Sequence, residues 1–546
     1  GREAQEAYQA SRYSVLSRDY FARFTKDPDA KPNSDEVALE ADWRIILSDK
    51  AHPLSETIAR DLADFLYQRM ELTLPIARAS TEELTAGVEK AISLIDSGSG
   101  EESEAFSIAV HRNRVIICAS SAEGTRNGVV RLVDTIGFRQ APLLTLGEQR
   151  YEPRLGVRLG VVPWMGSLRD VVFMGYNAIS AGGASLYALS TSDAIPELKE
   201  RRRPDSLAAI QKSVAAAQKY GLKTYVLLET RQRFPKDDPI FTAYPEIRGT
   251  PTWAADSEYV LCTEHPLVQR FLMESVEGLF RAAPGLDGVL FINGGEGFYH
   301  CYMRSFGAAK GRSSCPRCDA VGVDTVVANL SNNMAAAARR MNPKAEVLAW
   351  PYSAEHVWSS DRAQAGFIAR LKPGAGVFTE IEKDEYVDKP EGVRKHLWDY
   401  SIDLIGPGER AKQQVIACKA VGAPIYMKSE PELAFEAPRL SHIPCMDRWA
   451  DRAESLASCG ADGAFVFPAF RPCYGNVTAE LYKHFWWTPT PTKDEVLTNL
   501  ARRVAGPEAG THLRNAWKFV SEAVEWSPEL PSYYTGPYYL GPAHPM

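Results

Sequence analysis

Short apolar runs and amphipathic stretches alternate along most of this chain. From residue 151 onward, apolar runs fall at 156–162, 173–179, 222–229, 287–293, 345–351, 376–382, 423–429 and 463–469, each of a length suited to a buried strand. In most of the gaps between them, apolar residues at helical spacing predict helices at about 205–220, 265–282, 324–341, 361–371, 408–421 and 446–459. Strands alternating with helices make a parallel sheet, and eight of them predict a closed (β/α)8 TIM barrel in an α/β chain. The fourth and eighth runs share a pattern, Leu-Asp-Gly-Val-Leu-Phe and Ala-Asp-Gly-Ala-Phe-Val-Phe. An open doubly wound sheet is the alternative, but no Gly-x-Gly-x-x-Gly follows the first run.

Ahead of the barrel, residues 36–150 read as a small α/β domain behind a polar N-terminal segment and linker, 1–35. Trp43 to Leu47 predicts a strand. Ser55 opens a helix whose Ile58, Leu62, Phe65 and Leu66 share one face. Phe106–Val110 and Arg114–Cys118 predict a hairpin turning at Arg112-Asn113, and Gly124 to Val133 a further helix. After the barrel, 151–487, residues 488–546 predict helices over Val496–Val504 and Leu513–Trp526 and an irregular aromatic tail at 533–542.

Composition narrows the function. The chain has 546 residues, enough for two or three domains. Its 45% hydrophobic and 24% charged content is that of a soluble globular protein. A net charge of −7 and no basic stripe beyond Arg201-Arg202-Arg203 argue against a nucleic-acid surface. No apolar run is long enough to span a bilayer. No signal peptide is present, and because the chain opens on Gly1, a targeting segment ahead of it stays open. The location expected is cytoplasmic, or exported with the signal removed. Association into a homo-oligomer also stays open.

The chemistry gathers at strand ends. The fourth run leads into Asn293-Gly294-Gly295-Glu296-Gly297-Phe298-Tyr299-His300-Cys301, a carboxylate among three glycines. Glycines leave space around what they flank, and a carboxylate at the C-terminal tip of a barrel strand is where such a fold keeps its active site. Residues two apart on a strand point the same way. That pairs Glu229 with Arg231, Trp350 with Tyr352, Glu380 with Glu382, and Lys428 with Glu430. Charged strand residues are expected to face the barrel axis at its mouth rather than the apolar helix layer. The expected site therefore has Glu296, Glu430 and Glu380 as catalytic candidates. Arg158, Trp164, Glu229, Arg231, Asn293, Tyr299, His300, Trp350, Tyr352, Glu382 and Lys428 are its substrate-binding candidates. Some of these would instead pair as internal salt bridges. His356 and His484 are further candidates for sugar hydroxyls, with a structural role as the alternative.

Several carboxylates beside flat aromatic faces suit a sugar. Glycosidic cleavage needs one carboxylic acid for the leaving oxygen and a second carboxylate across the ring. Crowded carboxylates raise the pKa of one member, which keeps a proton available. These features predict an exo-acting glycoside hydrolase with Glu296 as general acid and no catalytic cofactor. A non-catalytic carbohydrate-binding barrel is the alternative. The second carboxylate is open between Glu430 on the seventh strand, with a slight preference as nucleophile, and Glu380 or Glu382 on the sixth.

Ser-Ala-Glu-Gly-Thr-Arg-Asn-Gly-Val-Val-Arg-Leu at 121–132, in a small α/β domain ahead of a barrel, resembles the N-terminal domain of family 20 β-hexosaminidases and family 67 α-glucuronidases. Asn293 to Gly297 is similar to the acid-bearing end of the fourth strand in these families. The resemblance implies acid catalysis by Glu296. Family 20 enzymes place an Asp directly before that Glu to orient the substrate's acetamide, whereas this chain has Gly295. The Gly-Glu-Gly pattern is closer to the α-glucuronidases, whose base comes from a later strand.

Nine cysteines spread through a long chain favour thiols or a metal site over a disulfide framework. Cys315-Pro316-Arg317-Cys318 is a C-x-x-C, and with Cys262 and Cys301 it offers four thiolates to a structural zinc. His265 and His300 are substitute ligands. Redox-active or unpaired thiols are the alternative.

Overall fold

The computed structural model describes residues 19–98, 103–160, 167–229, 233–252, 256–295, 300–303, 308–431, 443–466 and 477–526. Eight parallel strands close into a barrel in chain order. They are β1 Val157–Gly160, β2 Ala178–Ser185, β3 Lys223–Glu229, β4 Gly288–Ile292, β5 Glu346–Trp350, β6 Ala375–Glu380, β7 Ile425–Ser429 and β8 Gly463–Val466. Their alternation sorts two cores. Val157, Leu159, Tyr225, Leu290, Leu348, Trp350, Phe378, Tyr426 and Phe465 fill the barrel interior. Val226, Val289, Phe291, Val347, Val377 and Met427 pack outward against the helices. Near the N-terminal end of the interior, the Tyr225 hydroxyl donates to Glu346 at 2.9 Å and meets the Tyr426 hydroxyl at 2.9 Å. This polar plug closes the end opposite the mouth.

Seven of the eight predicted strands fall in place, and the second does not. Val171, Val172 and Phe173 belong to the helix Leu168–Phe173, and the strand follows it at Ala178–Ser185. Ser167 and Asp170 form a capping box that starts this helix. Of the predicted 173–179, only Phe173 is helical and only Ala178 and Ile179 lie in the strand, so the expected strand starts five residues too early. Of the predicted helices, 361–371 shrinks to Ala365–Ile368, while Pro204–Gln218, Pro266–Ala282, Val323–Met341, Glu409–Val421 and Met446–Ser458 are present. No helix among the described residues is long and apolar enough to cross a membrane.

Ahead of the barrel lies a seven-stranded sheet in the order Trp487–Thr488, Gly147–Pro153, Phe106–His111, Arg114–Ala119, Ala91–Asp96, Arg44–Ser48, Ile76–Ala79. The helices Pro53–Met70 and Ala122–Arg139 bury their apolar faces beside it. The first of these starts at Pro53 with His52 as cap, not at Ser55. The strand Trp487–Thr488 arrives from beyond the barrel, so the chain returns to this sheet before entering the terminal helix Lys493–Trp526. That helix carries a break at Gly506, φ 82°, directly before Pro507. The aromatic tail lies outside the described residues.

Candidate active site

The ends of β4 and β5 meet without room for a side chain. A Cβ added at Gly294 would lie 2.7 Å from the backbone nitrogens of Tyr352 and Ser353 and 3.0 Å from the carbonyl carbon of Pro351. Asn293 N donates to Trp350 O at 3.0 Å. The Asn293 carbonyl accepts from His300 Nε2 at 3.1 Å and from Trp358 Nε1 at 2.8 Å. His300 Nδ1 accepts from Tyr302 N at 3.3 Å, so the ring hydrogen sits on Nε2. Burial lowers the His300 pKa to about 4, so the ring is neutral. The segment carrying Glu296 thus leaves and re-enters the described fold through fixed backbone. We expect Gly294→Ala to destabilise the chain by about 1–3 kcal/mol through overpacking. A melting curve of the variant against the native chain reads this effect.

The mouth gathers charged residues from the ends of β6 and β7 and aromatic ones from β5. Glu380 lies beside Lys428 in strand register. Both Glu380 oxygens are engaged: Oε1 accepts from Trp350 Nε1 at 2.5 Å and Oε2 from Arg410 Nη1 at 3.1 Å. Arg410 also donates to Thr379 Oγ1 and to the Pro351 carbonyl. Glu380 is therefore a brace that ties β5, β6 and the helix Glu409–Val421 together, and it sets the plane of the Trp350 indole. One step further out, Glu382 Oε1 accepts from Ser401 N at 3.1 Å, and Oε2 lies 3.5 Å from Arg452. Burial pushes Glu382 up to about 7, opposed by Arg452 and reinforced by Asp399.

Glu430 differs from its neighbours. It is 2% exposed, and neither oxygen has a hydrogen-bond partner among the described residues. Burial raises its pKa to about 8, with Asp399 and Glu382 adding to the rise and Lys428 opposing it. The Lys428 ammonium sits 3.4 Å from the centre of the Tyr400 ring and 5.5 Å from that of Trp350. Tyr400 holds φ 57°, a left-handed conformation that a bulky residue rarely adopts. It belongs to the segment after β6, which forms the hairpin Glu385–Asp388 and Arg394–Leu397 and returns over the mouth at Asp399–Ser401. Lys383 lies 4.5 Å from the Tyr352 ring centre and 4.2 Å from that of Trp398. On β3, Leu227 is 37% exposed although it follows Tyr225 on the inward face, and Glu229 beyond it is exposed.

Of the predicted site residues, Glu380, Glu382, Glu430, Lys428, Trp350 and Tyr352 converge at this mouth, and Glu229 lies at the tip of β3. Arg158 does not converge. It sits at the N-terminal end of β1, donating to the Leu155 and Gly175 carbonyls and to Glu104 of the small domain. Asn293 follows Val289 and Phe291 in the alternation and falls off the axis, and His300 braces its carbonyl; neither lines the inward face. His484 is buried beside the Phe138 ring, apart from the residues that converge at the mouth. His265 caps the helix Pro266–Ala282. Trp164, Arg231, Glu296 and Tyr299 lie outside the described residues. Sequence reasoning missed Lys383, Asp399, Tyr400, Arg410 and Arg452. The first is one residue past the β6 alternation, the next two sit in an irregular insert, and the arginines are on helix faces otherwise read as surface. A cleft of about 650 Å³, lined by residues such as Arg131, Asp134, His484 and Arg502, lies between the small domain and the terminal helix and contains none of these carboxylates.

No protein-family model matches the chain, and no curated protein matches it in sequence. Solved structures do match in fold. A GH138 enzyme targeting pectin rhamnogalacturonan II superposes with a TM-score of 0.55 at 10% identity, covering 88% of this chain and 69% of that one. The GH20 beta-N-acetylhexosaminidase from Streptomyces coelicolor A3(2) superposes with a TM-score of 0.52 at 13% identity, over 94% and 99% of the two chains. A Streptomyces plicatus beta-hexosaminidase gives 0.51 at 13% identity, over 95% and 99%. At these identities the likeness is one of fold, and the three structures named are of glycoside hydrolases.

Proposed function

We propose that this chain is an exo-acting glycoside hydrolase that removes a terminal sugar at the C-terminal mouth of the barrel. The observation that carries this reading is Glu430, a buried carboxyl with no partner among the described residues, facing a mouth walled by Trp350, Tyr352 and Tyr400. A fold maintains an unpaired buried acid at a cost in stability, which a catalytic use explains. The glycosidase character of the fold neighbours supports the same class. The insert after β6 walls one side of the mouth, and Leu227 and Glu229 at the end of β3 are exposed, which suits a chain end. In this reading Glu296 protonates the leaving oxygen, Glu430 acts on the anomeric carbon or its water, and Glu380 holds Trp350 as a stacking face. Gly295 removes the acetamide-orienting carboxylate of family 20 enzymes, which favours a sugar without an N-acetyl group.

A panel of aryl glycosides, including an N-acetyl-β-hexosaminide and an α-glucuronide, tests the class. Glu296→Gln is expected to lower the rate by about two to four powers of ten for poor leaving groups, and far less for activated aryl groups that need no proton. Undiminished hydrolysis of unactivated glycosides by Glu296→Gln would remove it from the acid role. Sugar binding without hydrolysis of any panel member would favour a carbohydrate-binding barrel instead.

A further inference from the structure

Four cysteines from separate segments converge beside the barrel. After β3 the chain builds a three-stranded side sheet, Arg233–Pro235, Arg248–Pro251 and Glu258–Leu261, and Cys262 follows its last strand. Cys301 comes from the segment after β4. Cys315 and Cys318 flank the start of the helix Pro316–Val321. All four sulfurs lie within 4.8 Å of one another and all four residues are buried. Cys262 Sγ is 3.6 Å from both Cys315 Sγ and Cys318 Sγ.

These distances decide between the uses of four thiols. A disulfide needs about 2 Å between sulfurs, and two disulfides would sort the four into pairs. Here Cys262 is equally near two partners. Four thiolates at about 2.3 Å from a tetrahedral zinc stand roughly 3.8 Å apart, which is the spacing seen. Two further features fit an ion. A Cβ at Gly249 would lie 2.7 Å from Cys301 Sγ, so glycine at this position leaves the fourth sulfur its room. Arg317 Nη1 lies 3.2 Å from Cys262 Sγ, a positive charge suited to a zinc tetrathiolate with its net charge of about −2.

We infer that Cys262, Cys301, Cys315 and Cys318 bind one structural zinc ion that clamps the segment after β4 to the side sheet after β3. Cys301 is five residues beyond Glu296 in sequence, so the ion fixes the far end of the segment whose near end is seated by Gly294. The metal assignment stands on the four sulfurs alone; its catalytic consequence rests on the proposed glycosidase reading.

Metal analysis of the full chain, purified without chelator or metal-affinity resin, is expected to find about one zinc per chain. A mercurial thiol reagent should release it, and Cys315→Ser/Cys318→Ser should lower zinc content at least tenfold while Cys118→Ser, at an exposed thiol, leaves it unchanged. If the double variant fails to fold, cobalt exchange into the native chain serves instead. It should give the thiolate charge-transfer and d–d bands of a tetrahedral sulfur site. Protein that is folded yet holds no zinc and takes up no cobalt would overturn the inference, as would iron with the colour of an iron–sulfur centre. Zinc with no activity on any glycoside would leave the metal site standing and count against the glycosidase reading.

Discussion

Glu430→Gln is expected to abolish hydrolysis and at the same time raise the melting temperature. Burial lifts this carboxyl from its ordinary 4.5 to about 8. The folded chain therefore keeps a proton that the unfolded chain releases, and stability is lost as pH rises from about 4.5 towards 8. Each tenfold gain in proton affinity is worth about 1.4 kcal/mol, so the penalty near pH 8 is a few kcal/mol. Glutamine keeps the shape and never ionises, so the variant's advantage in melting temperature should be small at pH 5 and widen to several degrees by pH 8. The rate responds with the opposite sign. As nucleophile or base, Glu430 acts ionised, so kcat/KM of the native chain should rise with pH until the carboxyl has titrated near 8. Loss of activity with no gain in stability would return Glu430 to a pairing role. A rate that falls as this group ionises would make it the proton donor. The anomer first released, followed by NMR, separates retention through a Glu430 adduct from inversion through water. In retaining sites the two carboxyls stand about 5–5.5 Å apart, and in inverting sites about 6.5–9.5 Å.

The barrel was legible because its strands are continuous apolar runs, the mark of strands buried on both faces. The second strand escaped for a local reason: Ala178–Ser185 is built of alanine, glycine and serine around one Ile, while the adjacent helix holds Val171, Val172 and Phe173. In the small domain, Ile76–Ala79 is a half-exposed edge strand with little hydrophobic signal. Ala91–Asp96, although buried over its first four positions, has its apolar run broken by Ser93. Period-two alternation brought Glu380, Glu382, Lys428 and Glu430 to one mouth. Their division of labour was hidden, since it depends on Arg410 and Arg452, which reach them from helices distant in sequence. Arg158 shows the limit of the same logic. Alternation says which face a strand residue takes, but a residue near the N-terminal end of its strand lies far from the mouth. Glu104, its partner, is 54 residues upstream in another domain. The four cysteines were legible as a set because C-x-x-C fixes two of them, whereas Cys262 and Cys301 are brought in by the side sheet and the end of β4.

The largest stability effect is expected from Glu480. This residue is fully buried in the helix Val477–Leu481, behind the barrel's last strand. Its Oε2 accepts from Arg23 at 2.6 Å and from Arg503 at 2.8 Å, and its Oε1 from the Tyr20 hydroxyl at 2.8 Å. Lys483 joins the same knot through Asp134 at 2.7 Å and the Phe173 carbonyl at 2.8 Å. The Glu480 carboxylate thus ties the N-terminal segment and the terminal helix to the barrel, and Lys483 beside it brings in the small domain through Asp134. Glu480→Ala would strand buried guanidinium groups, and breaking a buried pair in this way costs about 3–5 kcal/mol. Glu71→Ala, which removes the exposed partner of Lys26, should move the melt far less, since solvent screens that pair. The two arginines hold the Glu480 carboxyl well below its ordinary value despite its burial. Its contribution is therefore present above about pH 4.5 and lost as pH falls through the depressed folded-state value. Urea melts of native chain and Glu480→Gln should accordingly lie far apart at pH 7 and draw together in strong acid. Coincident melts at pH 7 would show that the knot orders these four parts without stabilising them.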